Sequence, residues 1–172
     1  MHKNFIHKVK VYYEDTDAGG VVYYANYLNF LERARTEAIN ILGLSNKKIK
    51  EDFGALIIVK SCNIDYRKSA HLEDELSIRS FVKSITKTSF FMTQIISREK
   101  ELIVEAKIHL VFVNSSGKPI KIPDIIFENF KPYFCDSINK FYFCFVFIKS
   151  FFIICKLFTF VLAQGDTQEH KS

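Results

Sequence analysis

Along residues 5–13, Val9, Val11 and Tyr13 fall on one side of the chain and Lys8 and Lys10 on the other. That period of two predicts a half-buried strand. The period changes in residues 26–42. There Tyr27, Leu31, Ala34, Ala38 and Ile41 recur at spacings of four and three, one apolar stripe of a long helix. Arg33 and Glu37 stand at i,i+4 on its outer face, and Gly43 is placed to end it. Strands follow at 55–66 (ALIIVKSCNIDY), 74–86 (DELSIRSFVKSIT), 89–98 (SFFMTQIISR) and 101–113 (ELIVEAKIHLVFV), with turns near Lys87 and Lys100. Connections this short require antiparallel neighbours. SSGKP at 115–119 signals a turn, and PDIIFENF at 123–130 predicts a short last helix.

One strand, one long helix and four antiparallel strands make an α+β domain. Its economical packing is an antiparallel sheet wrapped around one mostly buried helix. The other sheet face, or an edge, is then left for a second subunit, so a homo-oligomer is expected.

The pattern holds for residues 1–133 and breaks in 134–172. That tail holds 9 of the 18 phenylalanines and 3 of the 4 cysteines in 39 residues. Its segment 141–163 has the length of a bilayer span. On an insertion scale its apolar residues contribute roughly −6 kcal/mol, against about +5 to +7 for Lys149 and Lys156 if central. Three readings stand: a marginal membrane anchor, an added helix buried in an assembly, or a non-native extension left by a frameshift. The abrupt compositional change favours the third.

A composition of 48% hydrophobic and 25% charged residues excludes intrinsic disorder, and a net charge of +5 without a block of like charges gives no nucleic-acid footprint. The cysteines (62, 135, 144 and 155) form no C-x-x-C pair, and the histidines (2, 7, 71, 109 and 170) are scattered, so no metal site is expected. The first residues, MHKNFIHKVKV, carry no apolar signal core. Reduced thiols in a cytoplasm are the expectation, with inner-membrane association if the tail is an anchor.

The chemistry concentrates in YYEDTDAGGVVYYANY, residues 12–27. Asp15 and Asp17 suit turn positions. A calcium loop fails, because the ligand positions counted from Asp15 hold Gly19 and Asn26. A phosphate loop fails, because no Lys-Ser/Thr follows the glycines. An Asp-x-Asp phosphohydrolase would need alternating strands and helices. The remaining reading joins loop to helix. Free N–H groups at the helix start can hold a carbonyl oxygen that gains negative charge. An upstream carboxylate can attack that carbonyl or activate water against it, and Gly19 and Gly20 let the backbone come close. That arrangement suits acyl transfer or hydrolysis.

VYYEDTDAGGVVYYANYLNFLERARTE (11–37) closely resembles the signature of the hotdog-fold acyl-CoA thioesterases, nearest the Tol–Pal-associated type and related to the 4-hydroxybenzoyl-CoA thioesterases. IDYRKSAHLEDELSI (64–78) resembles the family's strand–loop–strand after the helix. The resemblance covers about 5–132 and implies hydrolysis of acyl-CoA to a free acid and coenzyme A. It implies no metal or redox cofactor, and a site at a subunit interface of a homodimer or homotetramer. It makes Asp17 the catalytic nucleophile or base and the Tyr24 N–H the holder of the thioester oxygen. Gly20, Asn26 and Tyr27 would shape the site. A second lineage uses a helix Glu, which adds Glu32 and Glu37. Arg67 and Lys68 follow a strand and are candidates for the coenzyme A phosphates. His71 reads as an exposed loop residue, His109 as a satisfied or surface residue, and Cys62 as core filling. Many Tol–Pal-associated members carry His where this chain has Tyr24. The alternative reading follows from that departure: a degenerate hotdog domain serving as a binding subunit of a cell-envelope complex.

Overall fold

The computed structural model describes residues 4–133; the hydrophobic tail lies outside them. The order is β1 (Phe5–Lys10), α1 (Asn26–Ile41), α2 (Asn46–Phe53), β2 (Leu56–Tyr66), β3 (Glu75–Ile85), β4 (Ser89–Arg98), β5 (Glu101–Val113) and α3 (Asp124–Phe130). The five strands form one sheet in the order β1-β3-β4-β5-β2, with every neighbouring pair antiparallel. No helix among the described residues is long and apolar enough to cross a membrane.

Register decides what faces α1. Ile78 pairs with Ile96, Ser80 with Gln94 and Val82 with Met92. Ile96 in turn pairs with Val104, Gln94 with Ala106 and Met92 with Ile108. Since side chains alternate, these residues line one sheet face, and all are buried. Tyr27, Phe30, Leu31, Ala34, Ala38 and Ile39 of α1 are buried in the same core. The expected Ile41 is instead exposed. The stripe continues by the four-residue row to Leu42, which packs on the core just before Gly43 turns the chain at φ +76°.

Three further expectations are corrected. Strand β1 stops at Lys10, because a 3-10 turn at Tyr13–Asp15 lifts Tyr13 off the sheet, leaving it 82% exposed. The Arg33–Glu37 pair does not form; Glu37 accepts a hydrogen bond from Asn40 at 3.4 Å. Cys62 is exposed, not core. It lies on β2, the sheet's edge, whose Ile58 and Val59 are also exposed.

Candidate active site

The loop between β1 and α1 is folded around its two aspartates, which do different work. Asp15 is buried, and its Oδ2 accepts the Tyr12 N–H at 2.9 Å. Its carbonyl accepts the Tyr23 N–H at 2.9 Å and the Asn26 side-chain amide at 3.0 Å. Asp15 therefore holds the loop to the start of α1. Asp17 is exposed and sits in a tight turn. The Gly20 N–H donates to its carbonyl at 3.0 Å, and its own N–H donates to the Val21 carbonyl at 2.9 Å. Its Oδ1 accepts the Gly19 N–H at 2.7 Å. A Cβ at Gly19 would stand 3.1 Å from that same Oδ1, so only glycine leaves the carboxylate this seat undisturbed. Gly20 takes φ +74°, the left-handed conformation glycine reaches without strain. With one aspartate buried and the other exposed, the pair does not converge as a phosphohydrolase would require.

A surface pocket of 340 Å³ gathers Asp17, Tyr24 and Tyr27 with Arg67 and Lys68, which are distant in sequence. Tyr24 lies in the turn that opens α1, and no acceptor among the described residues takes its N–H. Asp17 and a residue with a free backbone donor thus line one pocket. Gly20 and Asn26 do not line it. The N–H of Gly20 is used within the turn, and the amide of Asn26 within the loop anchor. Their place is the scaffold of the site.

Tyr27 is the tie across the pocket. Its ring is buried, and its hydroxyl oxygen accepts the Ala70 N–H at 2.9 Å. Burial pushes its pKa up from the ordinary phenol value. Tyr66, which the sequence reading passed over, is a second tie: its hydroxyl donates to the Tyr24 carbonyl at 3.1 Å, and its ring meets that of Tyr27 at 5.8 Å. Its position at the end of β2, directly before Arg67, was the available signal. These bonds fix the 67–70 segment against the helix start.

Arg67 and Lys68 enter the pocket already paired. Arg67 meets Asp65 at 2.6 Å and Lys68 meets Glu101 at 2.5 Å, all four side chains being at least partly exposed. Arg98 also reaches Glu101, and it meets Asp74 at 2.6 Å. Hydrogen bonds from Lys68 and then Arg98 hold the Glu101 carboxyl below the usual range. An anionic ligand would have to compete with these carboxylates for the two cations.

The remaining candidates lie elsewhere. Glu32 accepts the Thr36 hydroxyl at 2.8 Å, and neither it nor Glu37 lines the Asp17 pocket. His71 is exposed, and its backbone bridges to Val21. His109 is partly exposed, in keeping with a surface residue, but its Nε2 is buried without a hydrogen-bond partner among the described residues, and the ring stacks on Phe91 at 4.1 Å.

Known proteins share this architecture. Residues 11–130 match the thioesterase-like superfamily. The acyl-CoA thioesterase YbgC of Haemophilus influenzae is 36% identical over 124 residues, 72% of this chain and 91% of that protein. The acyl-CoA thioester hydrolase YbgC of Escherichia coli O6:H1 is 40% identical over 125 residues, 72% of this chain and 92% of that one. A probable thioesterase from Bartonella henselae is 30% identical and superimposes with a TM-score of 0.68, covering 70% of this chain and 100% of its own. With an α+β sheet around α1 and these relatives, the chain belongs to the hotdog-fold thioesterase-like superfamily.

Proposed function

We propose that the protein is an acyl-CoA thioesterase, which converts acyl-CoA and water to a free acid and coenzyme A. The observation that carries this reading is the pocket lined by both Asp17 and Tyr24, the latter with an N–H that no acceptor among the described residues takes. The named activity of the Haemophilus influenzae and Escherichia coli relatives supports it.

In this reading the thioester oxygen accepts the Tyr24 N–H, at a helix start whose partial positive charge favours the oxyanion. Asp17 then acts by one of two routes. As a base it takes a proton from water, whose oxygen attacks the carbonyl carbon; the C–S bond breaks and the departing thiolate is protonated. As a nucleophile it attacks directly, expels the thiolate and forms a mixed anhydride that water hydrolyses. Single turnover in ¹⁸O-water tests the second route: label in the Asp17 carboxyl shows the anhydride, formed and then hydrolysed at its Asp17 carbon.

The two parts of the site have separate tests. Tyr24→Phe retains the backbone donor and is expected to keep most of the activity. Tyr24→Pro deletes that donor in the turn before the N-cap Ala25, outside the hydrogen-bond ladder of α1, and is expected to lower kcat by about 10²–10³. Equal rates for both variants would remove the Tyr24 N–H from the mechanism.

Arg67 and Lys68, on the loop facing Asp17, are proposed to receive the coenzyme A phosphates by exchanging Asp65 and Glu101 for them. A homo-oligomer is part of the same proposal. Its support is β2, an edge unpaired among the described residues and carrying exposed Ile58 and Val59, which another copy would cover. Sedimentation of the full chain tests this; a monomer at micromolar concentration would overturn it.

A further inference from the structure

Two peptide groups flank Tyr24, and one hydrogen bond holds each. The first joins Tyr23 to Tyr24 and carries the proposed oxyanion donor, the Tyr24 N–H. Its carbonyl, that of Tyr23, accepts the Asn26 N–H at 2.8 Å, within the same turn. The second joins Tyr24 to Ala25. No backbone N–H among the described residues takes its carbonyl, that of Tyr24; the Tyr66 hydroxyl donates to it at 3.1 Å. One of the bonds that fix residue 24 is therefore local. The other comes from a residue 42 positions further along the chain.

Tyr66 is built as a strut. It is the last residue of β2 and pairs with Val104 of β5. Directly after it, the Arg67 and Lys68 N–H groups donate to the Ile103 carbonyl at 2.8 and 3.2 Å. Its backbone thus belongs to the sheet, while its side chain crosses to the start of α1. The rings of Tyr24 and Tyr27 meet the Tyr66 ring edge-on, at 6.5 and 5.8 Å. Tyr27 is buried and bonded to Ala70, so the strut leans on a fixed neighbour. Burial pushes the Tyr66 pKa up from the ordinary phenol value, which keeps the hydroxyl a protonated donor at neutral pH. Every one of these contacts is made within one chain, so none depends on whether a second copy covers β2. The Asp17 carboxylate has a separate seat, made by the Gly19 N–H in its own turn. The two halves of the site are held independently.

We propose that Tyr66 is the positioning residue of the oxyanion donor: its hydroxyl, through the Tyr24 carbonyl, holds residue 24 and with it the Tyr24 N–H. This deepens the proposed function and rests on it. A donor held in place acts on charge that develops in the transition state, so its loosening lowers kcat and leaves KM nearly unchanged.

The test is Tyr66→Phe in the full chain, which keeps the ring and removes the hydroxyl. On acyl-CoA its kcat is expected to fall about three- to tenfold, the worth of one neutral hydrogen bond, with KM within about twofold of wild type. In a Tyr24→Pro background, where the donor is already gone, the same change is expected to alter kcat less than about twofold. A second readout needs no turnover. In the chain labelled with ¹⁵N-tyrosine, the Tyr24 amide signal, assigned by its loss in Tyr24→Phe, is expected to shift or broaden in Tyr66→Phe. The signal of Tyr133, stacked on Phe5 at the opposite edge of the sheet, is expected to stay. The proposal is overturned if Tyr66→Phe turns over like wild type, or if the Tyr24 signal does not move. It is equally overturned if the loss in kcat is the same with and without the Tyr24 donor, which would make the hydroxyl a direct contact of the substrate. A wild-type protein that releases no thiol overturns the thioesterase reading instead, and the Tyr24 signal then decides by itself whether Tyr66 holds the donor.

Discussion

Tyr27→Phe removes one oxygen from the core and leaves the ring, so it isolates a single bond. The wild-type hydroxyl oxygen accepts the Ala70 N–H at 2.9 Å in a buried setting. Phenylalanine leaves that donor without a partner and without room for bulk water. An orphaned buried amide costs about 1–3 kcal/mol, more than the net worth of an average hydrogen bond. That is roughly a 5- to 150-fold fall in the folding constant. For a domain of this size the melting midpoint should drop by roughly 3–15 °C. Urea unfolding followed by circular dichroism measures it, with the m-value unchanged. The functional readout is directional. Residues 67–70 carry Arg67 and Lys68, so a loosened segment should raise KM several-fold and move kcat less. A stability change under about 0.3 kcal/mol would show that the bond is not a tie. A fall in kcat at constant KM would show that the hydroxyl acts in the reacting step and does not merely position the segment.

Other outcomes follow from the same geometry. Gly19→Ala sets a Cβ 3.1 Å from Asp17 Oδ1, and should lower kcat at least several-fold while unfolding by urea stays near wild type; unchanged turnover would show that the seat of Asp17 is not critical. Gln94→Met removes the acceptor of the Arg35 guanidinium and two further buried hydrogen bonds, and should cost about 2–4 kcal/mol; adding Arg35→Met should recover part of that loss, and a purely additive double variant would refute the coupling. Glu101 is held deprotonated by Lys68 and Arg98, so its folded pKa lies below its unfolded one. Its contribution is therefore present above pH 4.5, the ordinary value, and is lost as pH falls through the folded pKa. Stability curves of wild type and Glu101→Gln should converge on acidification, and a constant gap would contradict that sign.

The sheet and the long helix were legible because their periods are long and regular. Strand β3 alternates between buried and more exposed positions, β4 and β5 are buried over longer runs as central strands, and the boundaries of all three lie within a residue of those read from the sequence. Helix α2 was not found. Its eight residues bury only Ile49, so no stripe marks it, although Ser45 caps its start through the Lys48 N–H at 3.0 Å and Gly54 ends it at φ 58°. Strand β2 misled, because LIIV reads as core wherever it stands. Only strand order makes it an edge, and strand order is set by pairings that no local pattern contains. Cys62 went wrong with it.

The site divides in the same way. Asp17, Tyr24 and the glycines were legible as a motif because they are contiguous. The motif did not separate the seat of Asp17 from the anchor role of Asp15, which depends on one carboxylate being buried and the other exposed. The ties were out of reach. Tyr27 finds its partner at Ala70, Tyr66 at Tyr24 and Arg35 at Gln94, all through tertiary structure. The unsatisfied His109 Nε2 was equally invisible, since its surroundings come from the neighbouring strands.

The most direct measurement is thiol release from short, long and aromatic acyl-CoAs by the full chain and by Asp17→Asn. The account predicts turnover by the wild-type protein and its collapse by several orders of magnitude in the variant, with folding and oligomeric state preserved. Turnover that survives Asp17→Asn would contradict the assignment of the carboxylate. A folded wild-type protein that binds acyl-CoA without releasing thiol would contradict the enzyme and leave a binding subunit in its place.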